Sequence, residues 1–439
     1  MHSIIDLPTD PVCARRRRSR LRAPIVLVAL VAAGLQLLQA CSFSAPEGAL
    51  DTPQDMYAVL DAAPYADDAT VTGDRWRVID TAKLKVDHGF RCAGAPRAAA
   101  KEYIGVRVFD QATLPTGFDG TVYLNGWYLE YAKSDHHVLG LGSVIFNIAQ
   151  SGSELTWDAG GVLSDHKADD AFKWCYRYTV VQWARRPRLP VGGLPKPYVD
   201  VAAIHADPTG KLVFVDQSLG GDNFRTRPAR FSTLRPRARL FNGFGVTFDD
   251  DDHHLLQFAF DLGTPKLKRK KITWTSDVIL KDNSDRSYKA GQLATVLTGE
   301  SVNQWKPETV FMESGLPEAP GFLVNDLQLS PADDASACLF NEDSSREYHF
   351  RIDNVPYSWA MPMLTGWDLG TPCDDEHIKK IGAWIEDFQW VRNPGDSAGT
   401  LTYTVKTTVA DKSPDSGLVD GFQVEVLGID LIEPPGNAP

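Results

Sequence analysis

Three histidines, His137, His254 and His377, each stand two residues after an aspartate (Asp135, Asp252 and Asp375), and each is followed further along by a second aspartate (Asp165, Asp282 and Asp411). An imidazole has two ring nitrogens, and a carboxylate on each would fix its orientation. Aspartate and histidine together also ligate zinc and other divalent ions. Each set therefore admits ligand recognition, metal binding or acid–base catalysis. A plainer alternative has the aspartate closing a hairpin turn while the histidine satisfies buried backbone groups. We take this structural role as the expectation and leave the metal unassigned, because one set supplies only three ligands. The intervening position is His136, His253 and then Glu376, so it is not essential to the shared geometry.

These residues belong to a longer repeat. The pattern [LF]-[NT]-G-[WF]-x-[LV]-x5-D-[HE]-H-[VLI] starts at Leu124, Phe241 and Leu364, and a second landmark follows as Thr156-Trp157, Thr273-Trp274 and Thr402-Tyr403. Trp157, Trp274 and Tyr403 are candidate platforms for stacking on a sugar ring. A period this long exceeds that of solenoids and propeller blades, and each copy is large enough for a core of its own. The boundaries expected are 74–190, 191–310 and 311–432, with Pro/Gly-rich linkers at Arg185–Pro195 and Lys306–Gly321 and a disordered tail at 433–439.

The local signals are those of strands. Val122–Tyr131 alternates and is rich in aromatics, a turn follows, and Val138–Ile148 runs apolar, which makes a hairpin. In the third copy Ile378, Ile381, Ile385 and Phe388 are spaced as one face of a helix, but register against Val138 and Leu255 assigns a strand. Gly126, Gly243 and Gly366 each precede an aromatic, and glycine there marks a bulge or close backbone approach that lets Trp127, Phe244 and Trp367 enter the core. With 35 glycines and 28 prolines dividing many short strands, the fold class expected is all-β: three tandem β-sandwich or jelly-roll-like domains.

Six arginines within residues 15–22 precede an apolar run from Ala23 to Ala40, and Leu38-Gln39-Ala40-Cys41 closes it. This is the pattern of a signal peptide covering residues 1–40. Its end resembles the lipobox of bacterial lipoproteins, and the resemblance implies a chain cleaved before Cys41 and acylated on it, followed by a small, acidic, Pro/Ala-rich tether over 41–73, with a short helix at Gln54–Leu60. Several acyl chains hold a protein on a bilayer where one would not. Ser42 after the cysteine resembles lipoproteins sent to the outer membrane.

Loss of residues 1–40 takes six of the 45 basic and two of the 57 acidic side chains, leaving 39 against 55, a formal charge of about −16. Nucleic acid is a poor partner for such a chain. Cys92 and Cys175 fall in the first copy and Cys338 and Cys373 in the third. This partition predicts two disulfides, each within one copy, in an oxidising compartment. Basic residues concentrate in the second copy, at Arg225, Arg227, Arg230, Arg235, Arg237 and Arg239 and at Lys266–Lys271, where they either pair with acidic neighbours or face an anionic group.

No G-x-S-x-G, H-E-x-x-H, P-loop or dinucleotide fingerprint occurs, and Ser218 before two glycines is a weak match to a nucleophile elbow. No catalytic residue and no cofactor is implied. The function expected is that of a lipid-anchored cell-envelope protein acting as a multivalent binding module for a carbohydrate or another envelope component, glycan or protein. The alternatives are a hydrolase of an envelope polymer using one Asp/His set, and a purely structural envelope subunit. Retention of the set in all three copies favours binding or structure over an enzyme, which needs one specialised copy.

Overall fold

The structure is a computed structural model that describes residues 72–94, 105–133, 136–167, 170–184, 198–199, 212–213, 229–232, 236–248, 251–263, 266–268, 271–274, 276–282, 288–298, 310–312, 345–355, 357, 359–371, 377–394, 398–411, 419–429 and 431–432. The signal peptide, Cys41, nearly all of the tether, Arg185–Pro195, Ser218, Cys338, Cys373, Asp135, Asp375 and the tail lie outside them.

The described chain is all-β, in keeping with its glycine- and proline-punctuated strands, and three large antiparallel sheets carry it. The first runs Arg75–Asp80, Leu84–Gly94, Phe172–Ala184, Phe118–Tyr131, Lys380–Arg392, Gly399–Ala410, Ser345–Val355. The second runs Gly105–Thr113, Glu154–Ser164, Gly140–Ser151, Pro236–Phe248, Tyr288–Thr298, Leu212–Val213. In the third the order is Asp277–Lys281, Gln257–Asp261, Trp359–Gly370, Val419–Ile429, Val310–Met312. The last of these strands falls inside the stretch expected as the second linker.

Every large sheet joins two copies of the repeat. The Gly-aromatic strand of each copy pairs with the second strand of the preceding hairpin in cyclic order, copy one with three, two with one and three with two. The register is the same at all three seams: Gly126 lies opposite Trp384, Gly243 opposite Val144 and Gly366 opposite Asp261. The segments 74–190, 191–310 and 311–432 thus exchange strands instead of closing sheets of their own, and their apolar residues form one continuous cluster. A lone copy would leave an unpaired strand edge at each seam, and pairing with the next copy removes it.

The repeated glycines make the seams fit. The ladder slips at Leu124/Gly126, Phe241/Gly243 and Leu364/Gly366, a bulge in each copy. A Cβ on Gly126 would come 2.2 Å from Cβ of Trp384, and one on Gly243 would come 2.4 Å from the Ser143 carbonyl oxygen. The aromatics that follow turn inward and meet. Ring centroids are 4.9 Å apart for Trp127 and Phe244, 4.8 Å for Phe244 and Trp367, and 5.3 Å for Trp127 and Trp367. One residue before the glycine, Asn125 donates to the Pro362 carbonyl and accepts from the Leu364 N–H, while Asn242 donates to the Val122 carbonyl. Each asparagine fastens its strand to another copy.

Lys380–Arg392 is a strand despite its helix-like spacing. Ile381, Ala383 and Ile385 alternate inward, then a bulge between Glu386 and Gln389, with Asp387 at φ 54°, resets the phase so that Phe388 is buried too. Asn147 at φ 51° marks the matching bulge in the first copy. Cys92 and Cys175 are directly opposite on adjacent strands and form a disulfide, as their partition implies. Arg239 is not on a basic surface: its side chain is buried and bonds Glu425 of the third copy at 2.7 Å.

Candidate functional site

The turns that carry the recurring histidines are stitched to one another by backbone bonds. The His136 N–H donates to the Ile378 carbonyl at 3.1 Å and receives the return bond from Ile378 at 2.9 Å. Val138 and His253 exchange bonds of 2.8 and 3.0 Å. His137 lies between these two bridges, so its backbone is clamped on both sides by different copies. Its ring points where the rings of His254 and His377 also point.

The three rings form a triangle. Centroids are 4.5 Å apart for His137 and His254, 4.6 Å for His137 and His377, and 4.6 Å for His254 and His377, all edge to face. One nitrogen of each ring falls within 4.8 Å of the others. All three histidines are partly exposed, and the side chain of His137 keeps 40% of its accessible surface. Their rings therefore stand at a partly open surface and not inside the core.

The carboxylates are distributed differently from the expected sets. Asp165 and Asp282 approach the preceding histidines, His136 and His253, at 4.0 and 3.3 Å. Successive residues of an extended chain point to opposite sides, so with His137 and His254 turned to the shared centre, His136 and His253 turn back to the strand ends of their own copies. The carboxylate facing His137 comes from the second copy: Oδ1 of Asp252 lies 3.6 Å from Nδ1. Asp411 follows the strand Gly399–Ala410 at the place that Asp165 holds after Glu154–Ser164, and is partly exposed.

Beside His137 and His377 opens a cleft of about 460 Å³ lined mainly by histidine and aspartate. His136 Nδ1 is 3.1 Å from Asp170, His166 Nδ1 is 2.8 Å from Asp251, and the His166 N–H donates to Asp252. Tyr131 packs on His136 and donates to the His137 carbonyl. Burial, with Asp165, Asp170 and Asp252 nearby, pushes its phenol well above the usual tyrosine range. His166 and Asp170 do not recur in the other copies and Asp251 recurs only as Asp374, so comparison of repeats did not single them out. Only the folded turns bring them to the cleft.

The candidate stacking residues are elsewhere. Trp157, Trp274 and Tyr403 are buried, at 0, 2 and 4% exposure, and no pyranose ring can reach them. Trp157 packs on Tyr178, Tyr403 stacks on Phe350, and Trp274 lies under the Arg239 guanidinium. A Thr-aromatic pair in a strand can face either way, and here each aromatic faces the core. Neither a known family model nor a curated protein matches this chain.

Proposed function

We propose that the protein is a lipid-anchored binding protein of the cell envelope, and that it binds at one place, the histidine-lined cleft, instead of at three separate repeats. The observation that supports this reading is the convergence of His137, His254 and His377 from three copies on one point. Avidity between tandem sites is then not the reason for the repeat; the repeat builds one site with a contribution from every copy. Carboxylates rim the cleft, so it favours a neutral polyhydroxylated or a cationic group and disfavours phosphate or uronate. Recognition is by hydrogen bonds from imidazole and carboxylate, as for carbohydrate hydroxyls, and not by ring stacking. The anchor is proposed at Cys41 on the resemblance to a lipobox, and the outer membrane as destination on Ser42.

Two measurements test this. Mass spectrometry of the wild-type protein should find an acylated Cys41 as the first residue, and Cys41→Ala should stop processing; a mature chain that starts elsewhere without lipid overturns the anchor. In binding assays with envelope polysaccharides of graded charge, neutral chains should saturate one site and be weakened by Asp170→Asn and Asp251→Asn. Failure of every neutral or cationic component to bind, or preference for anionic ones, overturns the site's assignment.

A further inference from the structure

We infer that His137, His254 and His377 together ligate one divalent transition-metal ion on the axis where the three copies meet. Three imidazoles brought within 4.8 Å of one another by three separate turns supply a nitrogen-only donor set. Such a set suits zinc, cobalt, nickel or copper and not magnesium or calcium, which take oxygen. For metal–nitrogen bonds of about 2.0–2.1 Å in tetrahedral array the donors must sit about 3.3 Å apart, a closure of at most about 1.5 Å from the present arrangement. Side-chain rotation of partly exposed rings achieves that without moving the backbone, which the reciprocal bonds of His136 with Ile378 and of Val138 with His253 hold fixed.

The second layer matches the first. Asp252 faces Nδ1 of His137 at 3.6 Å, and a carboxylate at one imidazole nitrogen leaves the other for the metal. Three ligands leave a fourth position for water or a group of a bound ligand, and the cleft borders two of the three, His137 and His377. No single copy contains this site. Each repeat supplies one histidine, and a local count of ligands along the sequence therefore underestimates it. The inference stands on the geometry of the rings and not on the identity of an envelope ligand, so each can fail alone.

The test uses the mature chain, purified without a histidine tag, stripped with chelator and titrated with cobalt(II) alone. We expect one cobalt per chain, the visible absorption of a four-coordinate ion, displacement by zinc, and reversal by chelator. His137→Ala, His254→Ala and His377→Ala should each abolish the spectrum at stoichiometric metal while keeping the far-ultraviolet circular dichroism of the apo protein. Asp252→Asn should weaken the affinity by about 10–100-fold. The gentler His377→Gln, which keeps the side chain polar, gives the same reading if an alanine variant fails to fold. Absence of one-to-one binding overturns the inference. So does binding that survives all three histidine replacements and is lost in His136→Ala, because the ion would then sit among His136, Asp165 and Asp170.

Discussion

Replacement of Glu425 by glutamine should be among the most damaging single changes in the protein, because it isolates a charge inside the shared core. The Arg239 guanidinium and the Glu425 carboxylate, 2.7 Å apart, have side-chain exposures of 0 and 1%. The guanidinium also donates to the carbonyls of Leu262 and Gly263 at 2.8 and 2.5 Å and lies over Trp274. Burial pulls the Arg239 pKa below its ordinary value and pushes that of Glu425 up. Removing one partner of such a pair costs about 3–5 kcal/mol, since the other charge stays buried. Over the 231 described residues that is a fall in Tm of about 6–10 °C. The double variant Arg239→Met/Glu425→Leu, which removes both charges, should recover to within about 1 kcal/mol of wild type or exceed it. Differential scanning calorimetry of wild type, Glu425→Gln, Arg239→Met, Glu425→Leu and the double variant measures both the loss and the recovery. Arg239 belongs to the second copy and Glu425 to the third, so the whole transition should shift as one. A cost below about 1 kcal/mol for Glu425→Gln would mean an exposed pair, and a melt in which only part of the heat moved would mean independently folded copies; either result refutes the reasoning.

Four further outcomes are expected. Gly126→Ala and Gly243→Ala should each destabilise by more than the few tenths of a kcal/mol usual for a surface change, because their Cβ atoms would meet backbone or Cβ atoms of another copy; unchanged chemical denaturation midpoints would show the seams to be looser. Asn125→Ala strands the Leu364 N–H in the core and should cost about 1–3 kcal/mol by urea denaturation, with no change in metal or glycan binding. Burial raises the Asp261 carboxyl to about 7, so the folded state holds a proton that the unfolded chain has lost between about pH 4 and 7. That stability is fully present below about pH 4 and is lost as pH rises through 7, with a slope of at most about 1.4 kcal/mol per pH unit; Asp261→Asn should abolish this part of the slope in pH-dependent melts. Reduction of Cys92–Cys175 should cost about 2–4 kcal/mol, and a melt insensitive to reductant would contradict it.

Much of the architecture was legible in the amino-acid order. Alternation and turn residues define the strands, and repetition of Gly126-Trp127, Gly243-Phe244 and Gly366-Trp367 marks where backbones approach and aromatics enter the core, because only glycine tolerates a neighbour at 2–3 Å from its missing Cβ. The recurring Asp and His positions likewise located the end of each hairpin where the site lies. Sequence could not say which copy each strand would pair with, since the pattern is the same in all three and a seam within a copy looks like a seam between copies. That choice belongs to the tertiary structure, where cyclic pairing buries the edges and closes one aromatic core. It changes the chemistry as well. Neighbours along the chain place His137 with Asp165, but the fold hands Asp165 to His136, gives His137 the carboxylate of Asp252, and gathers three histidines 117 and 123 residues apart onto one axis. A convergence of that kind comes from the closure of three sheets around a common core, and no local spacing encodes it.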